Sequence, residues 1–106
     1  MAVRKLGLLL STAPSHPSVE TVVQLAQAAL RREVDVYLYL IDEGVKMVMD
    51  ARYLGLLDGG VKMSVCAYGC QQHGVSTATV DSRVSLSGLV VLSGIIDGCD
   101  RFLAFT

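Results

Sequence analysis

Short apolar runs alternate along this chain with segments whose apolar residues recur every three or four positions. Four of these runs are rich in leucine, valine and aromatic residues and predict buried strands, over 3–10, 34–41, 61–66 and 101–105. The spacing of valine and alanine over 19–30 predicts an amphipathic helix. Strands that alternate with helices form a mostly parallel sheet with helices on both faces. We therefore predict a three-layer α/β/α fold with four to five strands, in a single domain over 1–106.

Two further segments are predicted to be helical. Residues 42–60 are interpreted as one or two short helices that end at the pair Gly59–Gly60. Residues 85–98 are interpreted as the last helix, with Ser85 as its N-cap. For the helix over 19–30, the predicted N-cap is Ser15 or Ser18. Each predicted helix thus connects two strands, as parallel pairing requires.

The composition argues against several classes of function. The formal net charge is -1 and there is no basic run, so the electrostatic signature of a nucleic-acid-binding protein is missing. The longest mostly apolar stretch, 86–96, is shorter than the roughly 20 residues of a membrane span. The apolar core at 6–10 is shorter than the roughly 7–15 residues of a secretion signal. Three cysteines, an odd number, do not form a secreted disulfide framework, so we expect a cytoplasmic protein with free thiols.

The low charge content predicts an oligomer. Charged residues make up 18% of the chain, which is below the usual quarter of a soluble domain. A small domain leaves a large share of its surface exposed, and there are too few charges here to cover that surface. We therefore expect part of the apolar surface to meet another subunit.

Cys66 is the last residue of the predicted third strand. In sheets of this kind, ligands and catalytic groups lie at the carboxyl ends of the strands. If residues 67–73 form a helical turn, their backbone N–H groups point at Cys66 and favour the thiolate, which is the reactive form of cysteine. We expect the loops 11–18 and 67–73 to shape its pocket. The alternative is that Cys66 is simply a small buried hydrophobic residue, and the pattern alone leaves both interpretations open.

A family resemblance extends this interpretation. The stretch VCAYGCQQHGV, followed by LSGL and CDRFLAF, resembles the DsrE/TusD (DsrEFH-like) family of small sulfur-relay proteins. In that family a strand ends in a cysteine and a short segment closes with Gly-Val, before a Leu-Ser-Gly-Leu helix and a Cys-Asp-Arg strand. The matching positions here are Cys66, Gly74–Val75, Leu86–Leu89 and Cys99–Arg101. The N-terminal half matches only as a strand-loop-helix-strand pattern.

The resemblance implies sulfur transfer through a persulfide on Cys66, which maps onto the family's active cysteine. The implied partners are sulfur donor and acceptor proteins, namely small sulfur carriers. The implied assembly is a homo-oligomer, as a trimer or hexamer, or a hetero-oligomer with related subunits. The persulfide cycle needs no metal and no organic cofactor, so we expect neither. Because some relatives lack the cysteine, one alternative is a non-catalytic assembly subunit. Another is a thiol–disulfide redox protein that uses Cys66 and Cys70.

Three further residues are candidates to support Cys66. Many relatives carry two basic residues before the Gly-Val, where this chain has Gln72 and His73, so His73 is expected to supply a partial positive charge. Cys70 is either a resolving thiol or inert. His16 is expected either to approach Cys66 across the edge of the sheet or to remain solvated. A CxxxC pair with single distant histidines does not match the spacing of structural zinc motifs, so we predict no metal site. Cys99 is expected to be buried at the start of the last strand.

Overall fold

The strands form one five-stranded, all-parallel sheet in the computed structural model, which describes residues 4–106. In chain order they are β1 (Lys5–Leu10), β2 (Asp35–Leu40), β3 (Lys62–Cys66), β4 (Ser85–Ser87) and β5 (Arg101–Phe105). Their order across the sheet is β4-β3-β2-β1-β5. The predicted sheet is thus confirmed. Val3, with which the first strand was predicted to begin, lies outside the described residues.

Helices connect successive strands along residues 4–106. They are α1 (Ser18–Arg31), a 3₁₀ helix (Asp42–Met49), α2 (Ala51–Asp58), α3 (Ala67–Gln72), a short 3₁₀ helix (Thr77–Thr79) and α4 (Leu89–Gly98). The residues that α1 buries recur at the predicted helical spacing, from Val19 to Ala29. The segment 42–60 was predicted to form one or two short helices. It forms two, and the second is followed by Gly59 and Gly60.

The sheet has helices on both faces, as predicted. Alternation along β1 sends Leu6 and Gly7 to opposite faces. Helix α4 packs on the Gly7 face, because a Cβ atom at Gly7 would lie 3.0 Å from Cγ2 of Ile95. Helix α1 packs on the other face, where its residue Leu25 borders the same cavity as Leu6. These contacts give the three layers of the fold.

Two predicted N-caps are wrong. Helix α1 begins at Ser18, and neither Ser15 nor Ser18 caps it with a side chain. The backbone N–H of Ser18 instead donates to Nδ1 of His16 at 3.1 Å. Helix α4 begins at Leu89 and not at Ser85, since Ser85 belongs to β4 and pairs with Ser64 of β3. Strand pairing across the sheet overrides the local preference of serine for a helix N-terminus.

Helix α4 leaves much of its apolar surface exposed. Ile95 is its one buried residue, while Leu89 is 64% and Val90 is 86% exposed. Leu86 and Leu103 add exposed apolar side chains on two edge strands. No helix within residues 4–106 is both long enough and apolar enough to cross a bilayer.

Candidate functional site

Cys66 ends β3 and is also the N-cap of α3, which begins at the next residue. Its Sγ accepts a hydrogen bond from the backbone N–H of Gly69 at 3.4 Å, and the residue is 7% exposed. Free N–H groups in the first turn of a helix favour negative charge at this position. The helical turn expected after Cys66 is therefore present, and it directs a backbone donor at the sulfur.

Two glycines allow α3 to take this position. Gly69 packs closely on the 3₁₀ helix after β2, since a Cβ atom there would lie 2.9 Å from Cγ1 of Val45. Gly74 follows the end of α3 with a φ angle of 68°, a left-handed conformation that glycine adopts without strain. The N–H of Val75 then donates to the carbonyl of Cys70 at 2.9 Å, which closes the helix.

A cavity of about 520 Å³ opens at Cys66, on the edge where the carboxyl ends of the strands meet. Its walls follow three neighbouring strands: Ile41 and Asp42 after β2, α3 after β3, and the segment 87–89 at the end of β4. On α3, Nε2 of Gln72 donates to the hydroxyl of Tyr68 at 2.8 Å. The lining carries one carboxylate, Asp42, and no lysine or arginine from residues 4–106.

The phenol of Tyr39 links the end of β4 to the neighbourhood of Cys66. Tyr39 is fully buried, and its hydroxyl donates to the carbonyls of Gly88 at 3.1 Å and Ser87 at 3.4 Å. Burial raises the pKa of Tyr39, the nearby polar side chain of Ser87 opposes this, and the nearby Cys66 raises it further. Neither Tyr39 nor Ser87 was predicted as a site residue. Tyr39 lies in an apolar strand and so resembles ordinary core, and Ser87 was assigned to a helix.

His73 and Asp42 tie α3 to the segment after β2. Nε2 of His73 lies 2.9 Å from Oδ1 of Asp42, and the two side chains are 20% and 65% exposed. His73 is the C-cap of α3 and does not line the cavity. Asp42 follows β2 at the carboxyl edge, the same kind of position that identified Cys66, although no role was predicted for Asp42 itself.

The other two cysteines differ from Cys66 in burial or location. Cys70 is fully buried, and burial, followed by the proximity of Cys66, raises the pKa of its thiol. Cys99 precedes β5 and so lies at the amino edge, opposite Cys66. It is partly buried, whereas it was predicted to be buried. Burial raises the pKa of the Cys99 thiol, although Lys5 opposes this.

The loop 11–18 contributes no residue to this cavity, contrary to the prediction that it shapes the pocket of Cys66. His16 is exposed, and its Nδ1 accepts the N–H of Ser18. The structure therefore does not bring His16 together with Cys66 in the cavity. No group of three or more histidine, cysteine or acidic residues within 4–106 is arranged to hold a metal ion.

Several solved structures share this fold. The ychN protein from E. coli has a TM-score of 0.84 and 21% identity, over 97% of this chain and 100% of that one. BT1422 from Bacteroides thetaiotaomicron has a TM-score of 0.76 and 17% identity, over 95% and 94%. MTH1491 from Methanobacterium thermoautotrophicum has a TM-score of 0.72 and 15% identity, over 98% and 100%. Identities this low show a common fold alone.

Sequence comparison identifies the family. No curated protein matches the chain at a significant level. The sequence profile of the DsrE/DsrF-like family, however, matches residues 4–105. That range includes all five strands and the cavity at Cys66. The resemblance seen in the sequence is thus confirmed, and the chain belongs to the DsrE/DsrF-like family.

Proposed function

We propose that this chain is a sulfur carrier that holds sulfane sulfur as a persulfide on Cys66 and passes it between partner proteins. Membership of the DsrE/DsrF-like family supports a role of the sulfur-relay type in general. The observation that carries the assignment to Cys66 is the hydrogen bond from the Gly69 N–H to Sγ, in a cavity at the carboxyl edge. A backbone donor at this sulfur stabilises the thiolate, which is the nucleophile of thiol chemistry.

The proposed cycle consists of two thiol exchanges. In loading, the Cys66 thiolate attacks the outer sulfur of a donor persulfide, a new S–S bond forms, and the donor leaves as a thiolate. In discharge, an acceptor thiolate attacks the outer sulfur on Cys66, and the electron pair of the broken bond returns to Sγ. Each step exchanges one S–S bond for another, so the cycle needs no external oxidant, metal or organic cofactor.

The other two thiols are less suited to this role. Burial raises the pKa of both Cys70 and Cys99, which lowers the thiolate fraction of each at neutral pH. Cys99 also lies at the opposite edge of the sheet from the cavity. Cys66 is therefore the proposed carrier.

The proposed partners are donor and acceptor proteins of the small sulfur-carrier type. The exposed rim residues Tyr68 and Leu89, which are 66% and 64% exposed, would contact them beside Cys66. The exposed apolar residues of α4 support contact with another copy of this chain or with a related subunit, as a trimer, hexamer or hetero-oligomer. Three free thiols suit the reducing cytoplasm, which is the proposed location.

Intact-mass analysis after incubation with glutathione persulfide tests this proposal. Wild type should gain one sulfur atom, and Cys66→Ser should abolish that gain. The matched control is Cys99→Ser, which should load like wild type. If the wild type, with its thiols reduced, gains no sulfur from several chemically different donors, the carrier proposal is wrong and the assembly-subunit alternative replaces it.

One observation also favours a thiol–disulfide function. Cys70 lies one helical turn after Cys66, near enough for Cys66 to raise the pKa of its thiol. A peroxide would accept two electrons from the two thiols and leave an internal disulfide and water. Mass analysis under mild peroxide should then show the loss of two hydrogens, which Cys70→Ser abolishes. No such loss at a peroxide excess would exclude this alternative.

A further inference from the structure

We propose that the hydroxyl group of Ser87 is the hydrogen-bond donor that stabilises anionic sulfur on Cys66, which makes Ser87 a catalytic residue of the transfer. This inference rests on the proposed function of Cys66 as the sulfur carrier. It assigns a chemical role to the end of β4, the strand that forms one wall of the cavity.

The register of the sheet places Ser87 beside Cys66. The two residues are direct partners on the neighbouring parallel strands β3 and β4. Paired residues on adjacent strands direct their side chains to the same face, and the strands lie about 4.7–4.9 Å apart. Both residues also line the cavity of about 520 Å³. A sulfur atom added to Cys66 in this cavity would therefore lie close to Ser87.

The hydroxyl of Ser87 is buried, and although the phenol of Tyr39 lies near it, no hydrogen bond of good geometry reaches it within residues 4–106. Buried polar groups in proteins are nearly always paired, so an exception calls for an explanation, and a catalytic role is one such explanation. The backbone here is held in place, because the buried Tyr39 hydroxyl donates to the carbonyls of Ser87 and Gly88. The absence of a partner is explained if the Ser87 hydroxyl donates to the sulfur on Cys66 once that sulfur carries negative charge.

The role of Ser87 follows from where the negative charge lies during transfer. The charge is on Sγ of Cys66 before it attacks, and on the outer sulfur once the persulfide has formed and ionised. The N–H of Gly69 already donates to Sγ at 3.4 Å, from α3. The Ser87 hydroxyl would donate from β4, and it would keep its proton throughout. The bonds that form and break are those of the two thiol exchanges above.

The test compares Ser87→Ala with Ser85→Ala, a change of the same type two residues away on the same strand. Site-resolved iodoacetamide alkylation of Cys66 reports anionic sulfur without requiring a persulfide. Ser87→Ala should slow alkylation about tenfold at pH 7, because the anionic sulfur loses a hydrogen-bond donor, and the deficit should shrink at pH 10. Ser85→Ala should match wild type at both pH values. Sulfur gain from glutathione persulfide at pH 7 should slow in the same proportion.

Stability separates this role from a structural one. Ser87→Ala removes a hydroxyl that has no partner, so the urea midpoint should stay the same or rise while reactivity falls. A Ser87→Ala variant that alkylates and loads like wild type would overturn the inference. So would an equal loss of rate at pH 7 and pH 10 together with a lower urea midpoint.

A second pair of variants compares side chains of similar volume with and without a hydroxyl. Ser87→Thr keeps a hydroxyl and Ser87→Val does not, so the threonine variant should react faster at pH 7. Equal rates for the two would also overturn the inference. If wild type gains no sulfur and yet Ser87→Ala slows alkylation at pH 7 alone, the carrier proposal fails while the donor role of Ser87 toward Cys66 stands.

Discussion

Replacing Gly69 with alanine tests whether the fit of α3 against the segment after β2 determines the geometry at Cys66. A Cβ atom at position 69 would lie 2.9 Å from Cγ1 of Val45 and 3.4 Å from the backbone nitrogen of Asp42. Carbon atoms in contact stay about 3.5–4.0 Å apart, so α3 or Val45 must move by about 0.5–1 Å. Val45 is fully buried and β-branched, and its methyl groups cannot turn away without disturbing the core. We therefore expect α3 to move.

Two opposing effects determine the expected change in stability. Overpacking a core contact costs about 1–3 kcal/mol, while alanine improves on glycine inside a helix by up to about 1 kcal/mol. Gly69→Ala should thus lower the free energy of unfolding by about 0–3 kcal/mol. Moving α3 also weakens the hydrogen bond from the Gly69 N–H to Sγ of Cys66. If this hydrogen bond stabilises the anionic sulfur by about 1 kcal/mol less, alkylation of Cys66 becomes about fivefold slower.

The matched control is Gly55→Ala in α2, where an added Cβ atom would meet nothing within 4 Å. This change should raise the free energy of unfolding by up to about 1 kcal/mol and leave the alkylation rate of Cys66 unchanged. Urea unfolding and site-resolved iodoacetamide kinetics measure both quantities in both variants. If Gly69→Ala gains stability as the control does and keeps the wild-type rate, the packing of α3 does not position the reactive sulfur.

Three further outcomes follow from the same structure. Cys66 should alkylate faster than Cys99 at pH 7, because burial raises the pKa of the Cys99 thiol; equal rates in site-resolved iodoacetamide kinetics would contradict this. Tyr39→Phe removes a buried donor to two carbonyls and should lower the free energy of unfolding in urea by about 1 kcal/mol, whereas an unchanged value would show that these bonds add nothing. Asp50 caps α2, and its hydrogen bonds with Arg52 hold the pKa of the carboxyl below its usual value. The contribution of this carboxylate to the free energy of unfolding is therefore present at neutral pH and is lost as pH falls through the lowered pKa. Asp50→Ala should therefore cost about 1 kcal/mol at pH 7 and much less near pH 2, and a cost in urea that is the same at both pH values would refute this.

The position of Cys66 was predictable because it depends on local pattern. The residues before it form an apolar strand, and a catalytic group at the carboxyl end of a parallel strand is a general feature of α/β sheets. A glycine three residues later places a backbone N–H in the first turn of the following helix. The conditional prediction of a helical turn after Cys66 needed no contact between distant parts of the chain.

The surroundings of Cys66 were not predictable in the same way. The sequence led to a helix that begins at Ser85, because three residues of strand carry too little alternation to be distinguished from the start of a helix. The loop 11–18 was expected to shape the pocket because it follows a strand at the same edge. The wall is formed instead by the segments after β2 and at the end of β4.

The sequence by itself determined the α/β class of the fold, the family resemblance and the cysteine at a strand end, since each is expressed over a few consecutive residues or in their order. Only the tertiary structure decided what surrounds that cysteine. Pairing of β4 with β3 brings Ser87 beside Cys66, and the Tyr39 hydroxyl holds Ser87 from a position 48 residues earlier in the chain. Residues this distant in sequence are brought together by the register of the sheet and by burial. Neither can be predicted from the local periodicity of the sequence.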